Sequence, residues 1–164
     1  LKPEAIREYL TRIAKAEKIK ITEDGMEALI YVAQGDMRRA VNALQVGASL
    51  SSTIDGDILY KAASTVRPEE IRKLIEKSLT GDFLQAREAL DKLLIEYGLS
   101  GEDVVRQIHR AVFDLNVPDA VKVRLLDRIG ETDFRLVEGS NERIQIEALL
   151  AHFVLVGQDL GHKK

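Results

Sequence analysis

Gly35-Asp36-Met37-Arg38-Arg39-Ala40-Val41-Asn42-Ala43-Leu44-Gln45 reads as a turn that opens into a helix. Met37, Ala40, Val41 and Leu44 recur at helical spacing and predict an inward stripe. Arg38, Asn42 and Gln45 fall on a flanking polar face at i, i+4 and i+7. Arg39 lies about 100° further round and points elsewhere. A guanidinium in the first turn adds its charge to that of the unpaired N–H groups, so the place suits an anion. A solvated Arg-Arg pair following a helix–turn–helix explains the same spacing, and both readings stay open on these residues alone.

The rest of the chain repeats this helical grammar. The spacing predicts helices at about 3–17, 23–34, 36–48, 55–63, 68–79, 82–97, 101–115, 118–130 and 140–157. Pro3, Pro68 and Pro118 each stand where a helix begins, followed by an acidic residue. Proline fits that position because its missing N–H has no partner there anyway. Thr22 is placed to cap the second helix, and Ser100 with Asp103 resembles a capping box. Gly81 and Gly98 sit where left-handed C-terminal caps belong. Ile71, Leu74, Ile75 and Leu79 form one predicted inward stripe. Phe83, Ala86, Leu90, Leu93 and Tyr97 form a second, and Val104, Ile108, Ala111 and Leu115 a third. Ile19-Lys20-Ile21 alternates like a strand but is too short to decide anything. The expectation is an all-α chain.

Residues 49–57 are polar and turn-rich, and Ser64-Thr65-Val66-Arg67 precede Pro68. The domain boundary is placed at the second break, giving units 1–64 and 65–164. In the last helix Ile144, Ile146, Leu149, Leu150, Phe153, Val154, Leu155 and Val156 cover most of the circumference. Such a helix is buried, either at the centre of a bundle or partly by another subunit.

Composition narrows the function classes. Hydrophobic residues make up 45% of the 164 and aromatics only 5%, so the core is aliphatic. There is no cysteine, which excludes disulfides and thiolate zinc sites and favours an intracellular setting. The opening Leu1-Lys2-Pro3-Glu4 reads as a charged helix start and not as a signal peptide. Ile144 to Val156 is too short and too polar for a membrane span. The charge is −3, with nine basic and nine acidic residues up to 64, then fifteen and eighteen. Neither part looks like a free-standing nucleic-acid binder. That weighs against a helix-turn-helix DNA reader built on Arg38, Arg39 and Asn42.

No Gly-x-x-x-x-Gly-Lys-Ser/Thr loop occurs, nor an apolar strand ending in acidic residues to hold magnesium. His109 has Arg106, Val112 and Phe113 three and four positions away, His152 has Glu147 five back, and His162 lies in the tail that ends Lys163-Lys164. These spacings make no metal site and no acid–base constellation. No catalytic residue is assigned. Arg135, Glu138, Glu142 and Arg143 are candidates for a salt-bridged surface.

Longer stretches carry a family resemblance. Ile21 to Gln45 resembles the small helical lid of replication factor C, a clamp-loading AAA+ ATPase, in its archaeal small-subunit form. Tyr97-Gly98-Leu99-Ser100-Gly101-Glu102-Asp103, Gln107-Ile108-His109-Arg110 and Asp133 through Gln145 resemble its collar domain. The resemblance implies a lid at 1–64 and an oligomerising helical-bundle collar at 65–164. It implies that Arg38 is the sensor-2 arginine that meets an ATP phosphate, and that Pro3 lies near the adenine pocket. It further implies a preceding ATP-binding domain supplying the phosphate loop and the magnesium site. The implied partners are other small and large subunits, a sliding clamp and primer-template DNA; the implied location is the cytoplasm for an archaeal chain and the nucleus for a eukaryotic one. An all-helical oligomerisation scaffold with no nucleotide role is the alternative that the helical pattern alone also allows.

Overall fold

The structure is a computed structural model that describes residues 2–161; the expected tail of His162, Lys163 and Lys164 lies outside the described residues. The chain forms two compact units, 1–67 and 68–164.

In unit 1 the elements are α1 (Pro3–Ala16), β1 (Lys20–Ile21), α2 (Glu23–Ala33), α3 (Met37–Leu50), β2 (Thr53–Ile54) and α4 (Gly56–Ala62). Pro3 opens α1 at its first turn. The Thr22 hydroxyl accepts the Gly25 N–H at 3.0 Å, with Glu23 and Asp24 beside it at the positive end of α2. Ile6, Leu10, Met26, Leu29, Val32, Ala40, Leu44, Ile54 and Leu59 meet in one aliphatic core. The short alternating run at 19–21 does become a strand. Lys20 pairs with Thr53 and Ile21 with Ile54, in parallel. Two residues carry no readable period, so this pairing is a tertiary outcome. It depends on Gly25, where a Cβ would lie 2.5 Å from the Ile54 carbonyl oxygen.

The inward face of α3 differs from the expected stripe. Ala40, Ala43, Leu44 and Gly47 are buried, while Met37 and Val41 are only half-buried. Small residues face inward because α3 lies close to β2 and α4; a Cβ on Gly47 would already touch Ile54 and Leu59 at 3.5 Å.

Unit 2 contains α5 (Pro68–Leu79), α6 (Phe83–Asp91) running into a π-helical turn (Lys92–Glu96), α7 (Gly101–Val112), α8 (Asp119–Val137) and α9 (Glu142–Gly161). Asp82 and Ser100 cap α6 and α7 by accepting N–H groups of Gln85 and Asp103. Gly81 and Gly98 take the left-handed conformation, with φ of 91° and 66°. α9 packs on α5, α6, α7 and α8, burying Ile146, Leu149, Leu150, Phe153 and Val156. It is the central helix of a bundle. Ile144 and Leu155 nonetheless stay exposed on its outer side.

Three expectations need correcting here. Helix α8 does not stop at 130 but runs to Val137. Gly130 sits on its open side with nothing within 4 Å, so it interrupts no packing. The buried series Val121, Leu125, Ile129, Thr132 and Leu136 continues past it, and Gly139 at φ 89° follows the helix end. Tyr97 is exposed, because the Tyr97 N–H bonds to the Lys92 carbonyl, five residues back, and the extra residue rotates it off the inward stripe. Helix α7 ends at Val112, and Val105 and Val112 are buried where Ala111 and Leu115 were expected.

Candidate functional site

Arg38 stands in the first turn of α3. The preceding turn uses two left-handed residues, Gln34 at φ 50° and Gly35 at φ 81°, to reverse the chain after α2. Asp36 caps α3, its carboxylate accepting the Arg38 N–H at 2.9 Å. The Arg38 guanidinium has little built round it. Its side chain is 93% exposed, and its Nε lies 3.9 Å from the Asp36 carboxylate. Arg39 donates to the Gln34 amide oxygen at 3.3 Å, and Asn42 is exposed further along the helix. Such an arginine keeps nearly all its rotamers and can meet an anion brought from outside, but one exposed cation gives little affinity alone.

Pro3 lines a shallow depression of about 460 Å³ with Glu4, Arg7, Glu27, Ile30 and Tyr31. Arg38 is not among these lining residues. Arg7 is drawn toward α2 by Glu23 at 2.6 Å. Among the described residues, no group of three or more His, Cys, Asp or Glu is placed to hold a metal ion. His109 meets Phe113 edge-on at 5.3 Å between centroids. His152 is half-buried, and desolvation followed by the charges of Arg128 and Arg124 lowers its pKa.

The arginines at 135 and 143 find other partners than those expected from the sequence. Arg135 pairs with Glu131 at 2.5 Å, one turn back on α8. Arg143 binds Asp91 and lies 3.0 Å from Glu147, which Arg87 also reaches at 2.9 Å. This four-residue network joins α6 to α9. Arg87 above all holds the Glu147 carboxyl below its ordinary range, against the opposing effect of burial.

Unit 2 also carries an exposed apolar feature that the sequence reading anticipated only on its last helix. Leu84 and Ile95, Val123, Phe134 and Val137 on α8, and Ile144 and Leu155 on α9 are 58% to 72% exposed. At about 100° per residue, Val123, Gly130, Phe134 and Val137 fall within an arc of about 60°. Ile144, Ala148, Ala151 and Leu155 do the same on α9. Both series alternate steps of three and four residues, or their sum, the spacing that meets another helix. The signal was present in the sequence, but ending α8 at 130 divided its series. Stripes with this spacing are what a further helix can cover.

These features define an all-α protein whose second unit is a bundle with exposed apolar stripes on two of its helices. A family model described as the replication factor C C-terminal domain matches residues 66–152. Relatives described as replication factor C small subunits agree. The chain is 56% identical to that of Methanocella arvoryzae over 90% of its own length, 50% identical to that of Archaeoglobus fulgidus over 91%, and 51% identical to that of Methanocaldococcus jannaschii over 96%. It spans only 46%, 47% and 9% of those three relatives. The chain belongs to the replication factor C family. No helix among the described residues is long and apolar enough to cross a membrane.

Proposed function

We propose that this chain is the lid and collar of a clamp-loader small subunit. Unit 1 is the lid, and Arg38 is its sensor-2 arginine. In the longer protein an ATP-binding domain holds ATP and magnesium, and Arg38 draws the lid onto the phosphates. Pro3 sits near the adenine. Unit 2 is the collar, which joins small and large subunits into a ring. That ring opens a sliding clamp and places it on primer-template DNA in the archaeal cytoplasm.

The observation that carries this reading is the pair of exposed apolar stripes on α8 and α9, each spaced to suit a helical partner. The exposure of Arg38 supports its part, since a sensor completed by another domain is left bare without it. Arg38→Ala in a chain that includes the ATP-binding domain tests the nucleotide role. Clamp-stimulated ATPase activity is expected to fall at least tenfold with the subunit ring intact. Unchanged ATPase would leave a helical scaffold with no nucleotide role. In calorimetry, the chain of 164 residues is expected to show no ATP binding, and tight binding would contradict the proposal.

A further inference from the structure

Arg67 is the last residue of unit 1, and Pro68 opens α5 directly after it. Its guanidinium forms a fork on Asp24, Nη1 to Oδ1 at 3.0 Å and Nη2 to Oδ2 at 2.9 Å. Nε donates to the Asp57 carboxylate at 3.0 Å, and the guanidinium carbon lies 5.4 Å from the centre of the Tyr60 ring. Asp24 stands in the first turn of α2 and Asp57 in that of α4. Asp24 also accepts the Gly56 N–H at 3.0 Å. One side chain therefore ties the starts of two helices to the end of the unit.

The residues before it are also held. Ser64 is left-handed, with φ at 50°, and its N–H bonds to the Lys61 carbonyl. The Thr65 N–H bonds to the Tyr60 carbonyl at 2.9 Å, and Val66 is buried. Pro68 fixes its own φ and confines Arg67 to extended backbone. Connections between compact units are usually exposed, mobile and polar. Here no residue between α4 and α5 is left slack.

We propose that Arg67 is a positioning residue that fixes the point at which the chain leaves unit 1. Its fork makes the segment 64–67 part of the unit and not a linker. The fork holds that segment against the first turns of α2 and α4. Lysine replaces Arg67 only in part, since a single ammonium has no planar fork to span Asp24 and Asp57 together.

Amide hydrogen exchange and backbone NMR relaxation on the full chain test this. In the wild type, the Thr65 and Gly56 amides are expected to be protected and residues 64–67 to be as rigid as the helices. Arg67→Ala is expected to speed exchange at Thr65 and Gly56 at least tenfold and to lower the heteronuclear NOE across 64–67. Amides in the middle of α1 and α3 keep their rates. Arg67→Lys restores part of the protection, and Asp57→Asn, which leaves the Asp24 fork, loses less than Arg67→Ala. Unchanged rigidity at 64–67 in both Arg67 variants would overturn the proposal. So would an equal acceleration throughout unit 1 in Arg67→Lys and Asp57→Asn, which marks a plain stability effect. The measurement involves no nucleotide, so its failure is separate from any failure of the Arg38 role.

Discussion

Gly157→Ala and Gly130→Ala are the same chemical change on two helices of one bundle, and the structure gives them opposite signs. At Gly157 an added Cβ would sit 1.8 Å from the Leu79 carbonyl oxygen, 2.6 Å from its carbon and 2.9 Å from its Cα. All three atoms are backbone at the end of α5, so no rotamer change relieves the clash. Ordinary contact requires α5 and α9 to separate by roughly 1.5 Å. Because α9 packs on four other helices, that shift opens gaps elsewhere. Overpacking of this kind costs about 1–3 kcal/mol or more, and the better helix propensity of alanine returns up to about 1 kcal/mol. A net loss of about 1–2 kcal/mol lowers the melting temperature of a unit this size by roughly 5–15 °C. At Gly130 nothing lies within 4 Å of the new methyl, so only the propensity gain applies. That variant is expected to melt a few degrees higher. Thermal unfolding followed by circular dichroism reads both. A Gly157→Ala protein as stable as the wild type would refute the close approach of α9 to α5.

Other outcomes follow from the same geometry. Phe153→Ala removes the largest fully buried side chain and is expected to cost about 3–5 kcal/mol in chemical denaturation. Two acid steps are expected in the pH dependence of stability. The His152 pKa is lowered in the fold, so the unfolded chain takes up the proton first and stability falls as pH drops below about 6.5. His152→Gln is expected to remove that step from a melting profile. The Asp24 and Glu147 carboxyls are likewise held low, chiefly by Arg67 and Arg87. Their stabilisation is present above the ordinary carboxylate range and is lost as pH falls below about 4.5, a step that Asp24→Asn diminishes.

Much of this fold was legible because its local signals agree with its packing. Thr22, Ser100, Gly81 and Gly98 each mark a helix end by a mechanism that needs only nearby backbone. What the sequence hid depends on distant contacts. The β1–β2 pair rests on Gly25 lying beneath Ile54, which is far away in sequence, beyond α2 and α3. The inward face of α3 is small where the pattern favoured bulk, because β2 and α4 crowd it. The length of α8 was lost because a glycine normally counts against a helix, and only burial shows that Gly130 faces open space. Arg38 was visible through its turn. Arg67 was not, since its partners at 24 and 57 are unremarkable acidic residues in sequence and are brought to it only by the fold.

The solution mass of the 164-residue chain tests the collar assignment most directly. A monomer is 18.3 kDa. Burying one of the exposed side chains on α8 or α9 stabilises a contact by roughly 1–2 kcal/mol, so removing it weakens association about 5- to 30-fold. Sedimentation equilibrium at rising concentration is predicted to show a multiple of the monomer mass. Phe134→Asp with Leu155→Asp is predicted to return it to 18.3 kDa without lowering helicity. A wild-type chain that stays at 18.3 kDa at every concentration would contradict the account.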